Sequence, residues 1–248
     1  MKHRLSLPLL LLAVIMLIGT AVYWQTGTAD ARGVLVQAYL DTDQTIAYVG
    51  NVDDTGSPLM AISYDTSSIS SLRHYAVESQ ARGDALLKAG VSDFYVWVTF
   101  RRTLSADEFR ALVKETGLSV QRYTMRAIGA DGSRITIGGG PVDGEVLPTQ
   151  ELDEALTQVQ AREGDQALTF SGIFEVLGTV NATGYKQLRS APDVFMVDVT
   201  GTLVYRNANF QRSTRFSWKD FVAKFQISGN SPFWYMEDFG LDNFASDP

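Results

Sequence analysis

The sequence predicts an α+β fold built on a duplicated β-α-β unit, and two observations carry that reading. Residues 94–113, FYVWVTFRRTLSADEFRALV, align without a gap with residues 170–189, FSGIFEVLGTVNATGYKQLR. Phe94 matches Phe170, Thr103 matches Thr179, Ala106 matches Ala182 and Leu112 matches Leu188, while Ser105/Asn181, Phe109/Tyr185 and Arg110/Lys186 are pairs of similar chemistry. In each copy an apolar run ends at a Thr, a capping residue follows, a helical pattern comes next, and a second apolar run closes the unit. The hydrophobic period therefore switches from 2 to 3.6 and back at the same places. Two such units in tandem are the ingredients of a ferredoxin-like sandwich, in which helices cover one face of an antiparallel sheet. A swapped or extended sheet is the alternative.

The chain divides into an N-terminal signal-anchor or signal peptide with linker (1–31), an α+β domain (32–206) and an aromatic-rich C-terminal arm (207–248). The β-α-β repeats fall at about 94–137 and 168–205. From Leu5 to Trp24, LSLPLLLLAVIMLIGTAVYW, there is no charge; Lys2, His3 and Arg4 precede it and Tyr23-Trp24 stand at its far edge. Twenty helical residues span roughly 30 Å, about a bilayer core. Basic residues ahead of the stretch place the N-terminus in the cytoplasm and the body outside it. Ala29-Asp30-Ala31 has the small-x-small form of a cleavage site, so release by cleavage is the alternative to a retained anchor.

Each further element follows from its pattern. Val34–Leu40 reads as a strand or a short helix, and Thr45–Val49 as a strand; Asn51–Pro58 is turn chemistry, and Leu59–Tyr64 is a strand. Ser67–Lys88 reads as a helix with Ile69, Leu72, Ala76, Ala81 and Leu87 on its apolar side, serines at its start and Gly90 at its stop. Phe94–Phe100 is apolar on both faces, the mark of an inner strand. Ser105 and Glu108 form a capping box ahead of Phe109, Leu112 and Val113. Val120–Ile128 and Arg134–Ile137 pair about an Asp131-Gly132 turn. Thr149–Arg162 is helical, and so is Ala182–Ser190 after the strand Leu168–Leu177. Asn181 caps that last helix, with a glycan acceptor as the alternative role of its Asn-Ala-Thr triplet. Phe195–Val199 is a strand expected to continue as Thr202–Tyr205, and Trp218–Phe225 a short helix.

The arm ends in SPFWYMEDFGLDNFASDP. So many large apolar groups either pack back on the domain or form a docking strip for a partner protein. Phe233, Trp234, Tyr235 and Phe239 are the candidate partner-binding residues of that strip.

Chemistry is thinly marked. The chain has no cysteine, which excludes disulfides, thiolate nucleophiles and Cys-ligated metal. Beyond His3 there is His74 in a helical stretch, too little for a catalytic triad or a zinc site. The acidic pairs Asp41/Asp43, Asp53/Asp54, Glu237/Asp238 and Asp242/Asp247 do not follow a calcium-loop pattern. Gly138-Gly139-Gly140 lacks the frame of a phosphate loop, and Asp238-Phe239-Gly240 lacks the rest of a kinase. Net charge is −7, with the first 31 residues contributing +1, so an acidic body disfavours nucleic acid and anionic lipid. No cofactor, catalytic residue or metal ligand is singled out. The expected function is a membrane-anchored extracytoplasmic binding or protein-interaction module, its partners the membrane through the N-terminal helix and another extracytoplasmic protein. A secreted peptidase-propeptide or inhibitor-like domain and a hydrolase using acidic residues are the alternatives.

Overall fold

The computed structural model describes residues 37–41, 45–51, 58–148, 157, 161 and 168–246. The apolar stretch Leu5–Trp24, the linker after it and the turn at 52–57 lie outside them. Of the helix expected over Thr149–Arg162, only Thr157 and Ala161 are described, both helical. No helix among the described residues is long and apolar enough to cross a membrane.

The alternation in FYVWVTF decides the architecture. Strand β4 (Asp93–Leu104) turns Phe94, Val96, Val98 and Phe100 to one face and Tyr95, Trp97 and Thr99 to the other, and all seven are buried. Both faces are therefore covered. Among the described residues, β4 belongs to a five-stranded antiparallel sheet with β5 (Ser119–Gly129), β6 (Arg134–Gly139), β7 (Leu168–Asn181) and β8 (Val194–Asp198), in the order β6-β5-β7-β4-β8. Because β7 runs antiparallel to both β4 and β5, those two are parallel to each other; β7 and β8 are likewise parallel across β4.

Three helices serve this sheet. Helix α1 (Ile69–Lys88) runs beside β8, while α2 (Ala106–Thr116) and α3 (Ala182–Ser190) lie over the Phe94 face. Ser105 accepts from Glu108 N at 3.3 Å and the Glu108 carboxylate returns the bond to Ser105 N at 2.8 Å, a complete capping box. Asn181 accepts from the N–H groups of Thr183 and Gly184 at 3.0 and 2.9 Å, so α3 is capped at the aligned position. Phe109 and Tyr185, also aligned, are each fully buried, and each such ring contributes about 2–3 kcal/mol of transfer free energy. Between β5 and β6, Gly132 sits at φ 82° and Asp131 accepts from Ser133 N at 2.9 Å, as an Asp-Gly turn requires.

The Tyr95 face is covered by a second sheet, ordered β1-β2-β3-β9, comprising β1 (Gln37–Asp41), β2 (Thr45–Asn51), β3 (Pro58–Tyr64) and the parallel β9 (Gln226–Ser228). Val34–Leu40, read as strand or helix, is thus strand over its described part. Short helices α4 (Thr200–Arg206), α5 (Ala208–Thr214) and α6 (Trp218–Lys224) complete this layer. Met60, Ile62, Phe210, Phe221 and Phe225 pack there against Tyr95, Trp97 and Leu177. Helix α7 (Pro232–Phe239) and a 3₁₀ turn (Leu241–Phe244) end the described chain.

Two expectations change. Thr202–Tyr205 is helical within α4 and not a strand. Asp198 Oδ1 accepts from Thr200 N at 2.6 Å, which turns the chain, and the Thr202 hydroxyl then accepts from Tyr95 N at 2.8 Å and donates to Tyr95 O at 3.1 Å. One side chain replaces the next rung of the ladder, and tertiary context overrides β propensity. On α1 the buried stripe is Leu72, Tyr75, Ala76, Ser79, Gly83 and Leu86, while Ala81 is exposed and Leu87 half-buried. The helix turns Gly83 inward because the Tyr185 ring occupies the place of a side chain there.

Candidate functional site

The C-terminal arm supplies the candidate site residues, and its seat is built by four arginines from four elements. Ser231 caps α7 and Pro232 stands at its first turn, where a missing N–H costs nothing. Phe233 stacks on Phe174 of β7 at 4.7 Å between centroids, and Phe244 meets Phe195 of β8 edge-on at 5.4 Å. Arg126 of β5, almost wholly buried, lies over the Phe174 ring at 5.0 Å, donates to Thr136 at 2.7 Å and pairs with Glu237. Arg134 of β6 pairs with Asp238 at 2.7 Å. Arg101 of β4 donates to the carbonyls of Phe244 and Ser246 at 2.6 and 2.9 Å, and Arg73 of α1 donates to that of Asn243 at 2.6 Å. Gly240, at φ 88°, stops α7 and so gives the third letter of Asp238-Phe239-Gly240 a conformational role.

The four candidate partner-binding residues are not brought together. Phe233 is fully buried under the arm and is not a surface group. Tyr235 and Phe239, one helical turn apart, pack half-buried toward the cluster of Leu72, Tyr75 and Met236. Trp234 is half-buried with its indole Nε1 buried and without a hydrogen-bond partner. Any contact surface here is therefore Trp234 with the outer edges of Tyr235 and Phe239.

Beneath the arm lies a layer of buried polar groups. Glu175 of β7 is 5% exposed and takes a bond from the Thr124 hydroxyl at 3.3 Å. Burial pushes its carboxyl above the ordinary range, opposed by the donors of Ser231 and Trp97, the Arg122 charge and Thr124. Ser231 and Trp97 help electrostatically, yet neither completes a hydrogen bond of good geometry to Oε2. Asp198 of β8 receives the Tyr75 hydroxyl, and Tyr75 stacks on Tyr64 at 4.3 Å. Burial, and then the negative charge of Glu175, raises the Tyr64 phenol; its proton is held and goes to Asn230 O at 2.5 Å.

This layer joins elements rather than presenting reactive groups. In the ladder Glu175 faces Thr99 across β4, and Asp198 faces Trp97, so the two carboxylates stand two strands apart. That places them on the order of 10 Å from each other, wider than a retaining pair of carboxylates. Among the described residues no three His, Asp or Glu side chains gather as a metal site. His74 lies exposed on α1, 3.5 Å from Glu78. Of the acidic pairs, Glu237 and Asp238 are engaged by arginines, Asp242 is exposed, Asp41 lies on β1, and Asp43, Asp53, Asp54 and Asp247 fall outside the described residues.

The groups that organise this region were not singled out in the sequence: Arg101, Arg126, Glu175 and Asp198. Their signal is a charge inside an otherwise apolar alternating strand, as in GIFEVLG and VFMVD. Comparison with family models, curated proteins and solved structures finds no match.

Proposed function

We propose that the chain is a membrane-anchored interaction module whose α+β body stands outside the cytoplasm. The observation that carries this reading is Leu5–Trp24, twenty uncharged residues behind Lys2 and Arg4 and closed by Tyr23-Trp24. The body supports it through how its buried charges are used: Arg101, Arg126, Glu175 and Asp198 each bind another element, which is structural work. Partner contact then falls to surface groups, with Trp234, Tyr235 and Phe239 beside Asp238 and Asp242 as the aromatic and acidic patch.

The ferredoxin-like reading belongs to the same proposal. The order β5-β7-β4-β8, with β4 and β5 parallel across β7 and β7 and β8 parallel across β4, supports two interleaved β-α-β units with β6 as an added edge. Equivalent caps at Ser105 and Asn181 support the duplication. That topology together with Ala29-Asp30-Ala31 favours, as the second reading, a released inhibitor-like domain.

Fractionation of intact cells with external protease, followed by mass spectrometry of the N-terminus, separates the two. An anchored module stays with membranes, begins near Met1 and loses its body to the protease. A soluble protein beginning near Arg32 would sink the anchor reading.

A further inference from the structure

We propose that the cavity between helix α1 and strand β8 binds a small organic carboxylate. The cavity measures about 300 Å³, at the low end of ligand-sized sites, and its walls come from α1, α3, β4 and β8. Ala76, Val77, Val194 and Phe195 make part of it apolar. Its charged lining residues are Arg101 and Arg189, in a chain whose net charge is −7. An enclosed basic lining on an acidic protein selects for anions.

Three kinds of donor converge there. Tyr185 is fully buried, its ring fixed by stacking on Phe94 at 4.6 Å, and its hydroxyl lines the cavity without a hydrogen-bond partner. Burial pushes that phenol up to about 12, so it offers a proton and asks for an acceptor. Arg189 is held by Asp84 and by the Gln80 side-chain oxygen at 3.1 Å in the bonded orientation of that amide, which fixes the guanidinium at the wall. β8 pairs on one side with β4, so alternate residues from Val194 to Asp198 turn backbone groups outward, toward α1.

A buried hydroxyl with no partner is rare in native proteins, and a ligand acceptor is one of the few things that explain it. A carboxylate supplies an acceptor for the phenol, a charge for the arginine and, through its apolar body, contact for the aliphatic walls. Val77, 46% exposed, marks the side open to solvent. The inference stands apart from where the chain resides, since it uses the body alone.

The test uses the full-length chain in a non-ionic detergent, with 4-fluorobenzoate as probe and 4-fluorobenzamide as its neutral match, both followed by fluorine NMR. Saturable binding of the benzoate is expected, at least about tenfold tighter than the amide. Tyr185→Phe removes only the partnerless hydroxyl; it is expected to melt no lower than the natural chain and to weaken the benzoate about tenfold or more. Val77→Trp, at an exposed position, blocks the opening and gives a second, independent loss. The proposal is overturned by no saturable binding up to about 10 mM, by equal binding of the amide, or by benzoate binding that both variants leave unchanged.

Discussion

Glu175 shows what one buried carboxyl does to the molecule that holds it. Its folded value lies above the ordinary one, so the neutral form is favoured in the native state. At pH below the unfolded value of about 4.3, both states keep the proton and burial costs little; as pH rises, the unfolded chain releases its proton first and stability falls until the folded carboxyl has also titrated. Glu175→Gln keeps the shape and removes the charge. Chemical denaturation between pH 4 and pH 8 is expected to show the natural chain losing stability over that rise while the variant stays level and is the more stable at neutral pH. Equal slopes would mean that the carboxylate is well solvated. Gly83 makes the opposite point about propensity. In a free helix, Gly→Ala gains about 1 kcal/mol. At Gly83 the added methyl meets the Tyr185 ring, which is pinned by Phe94, so Gly83→Ala is expected to destabilise by about 1–3 kcal/mol in the same assay. The sequence marks Gly83 only as a weak spot in a helix, because the ring that explains it comes from a residue about a hundred positions away.

At the scale of elements, local chemistry was legible and the ends of strands were not. Ser105 with Glu108, Asn181 and Asp131-Gly132 act where short-range rules place them, since each bond spans two or three residues. Ser105→Ala is expected to cost about 1 kcal/mol through the lost cap of α2, read as a lower urea midpoint with unchanged slope. The end of β8 obeys no local rule. Thr202, Val204 and Tyr205 favour a strand, but β8 closes at Asp198 and the Thr202 hydroxyl satisfies both backbone groups of Tyr95. Thr202→Val keeps volume and β propensity and leaves that buried N–H and C=O unbonded. The expected cost is about 2 kcal/mol, with Thr202→Ser restoring most of it. If Val is tolerated as well as Ser, the hydroxyl is not what ends the sheet there.

Across the whole molecule, the arm closes the sheet by contacts that no window of sequence contains: Arg126 reaches Glu237 over more than a hundred residues, and Arg73 and Arg101 reach carbonyls of the last turn over still more. The aromatic content of the arm foretold burial for Phe233 and Phe244, but not which element would receive each ring. The Arg126–Glu237 pair decides how firmly the arm is held, because both side chains are largely out of water, at 3% and 10% exposure. Two effects compete. Coulomb attraction in a poorly solvated place is strong, but desolvating both ions offsets most of it, so the intact pair contributes little net stability. A lone survivor is costly, at about 3–5 kcal/mol. Arg126→Met keeps the stem over Phe174, and Glu237→Met keeps the helical turn; each alone is expected to lower the unfolding free energy by that amount, whereas the two together cost about 1 kcal/mol or less. Urea unfolding of the four chains gives the coupling directly. Single variants that each cost under about 1 kcal/mol would mean that water reaches the pair and that the arm lies loosely on its seat.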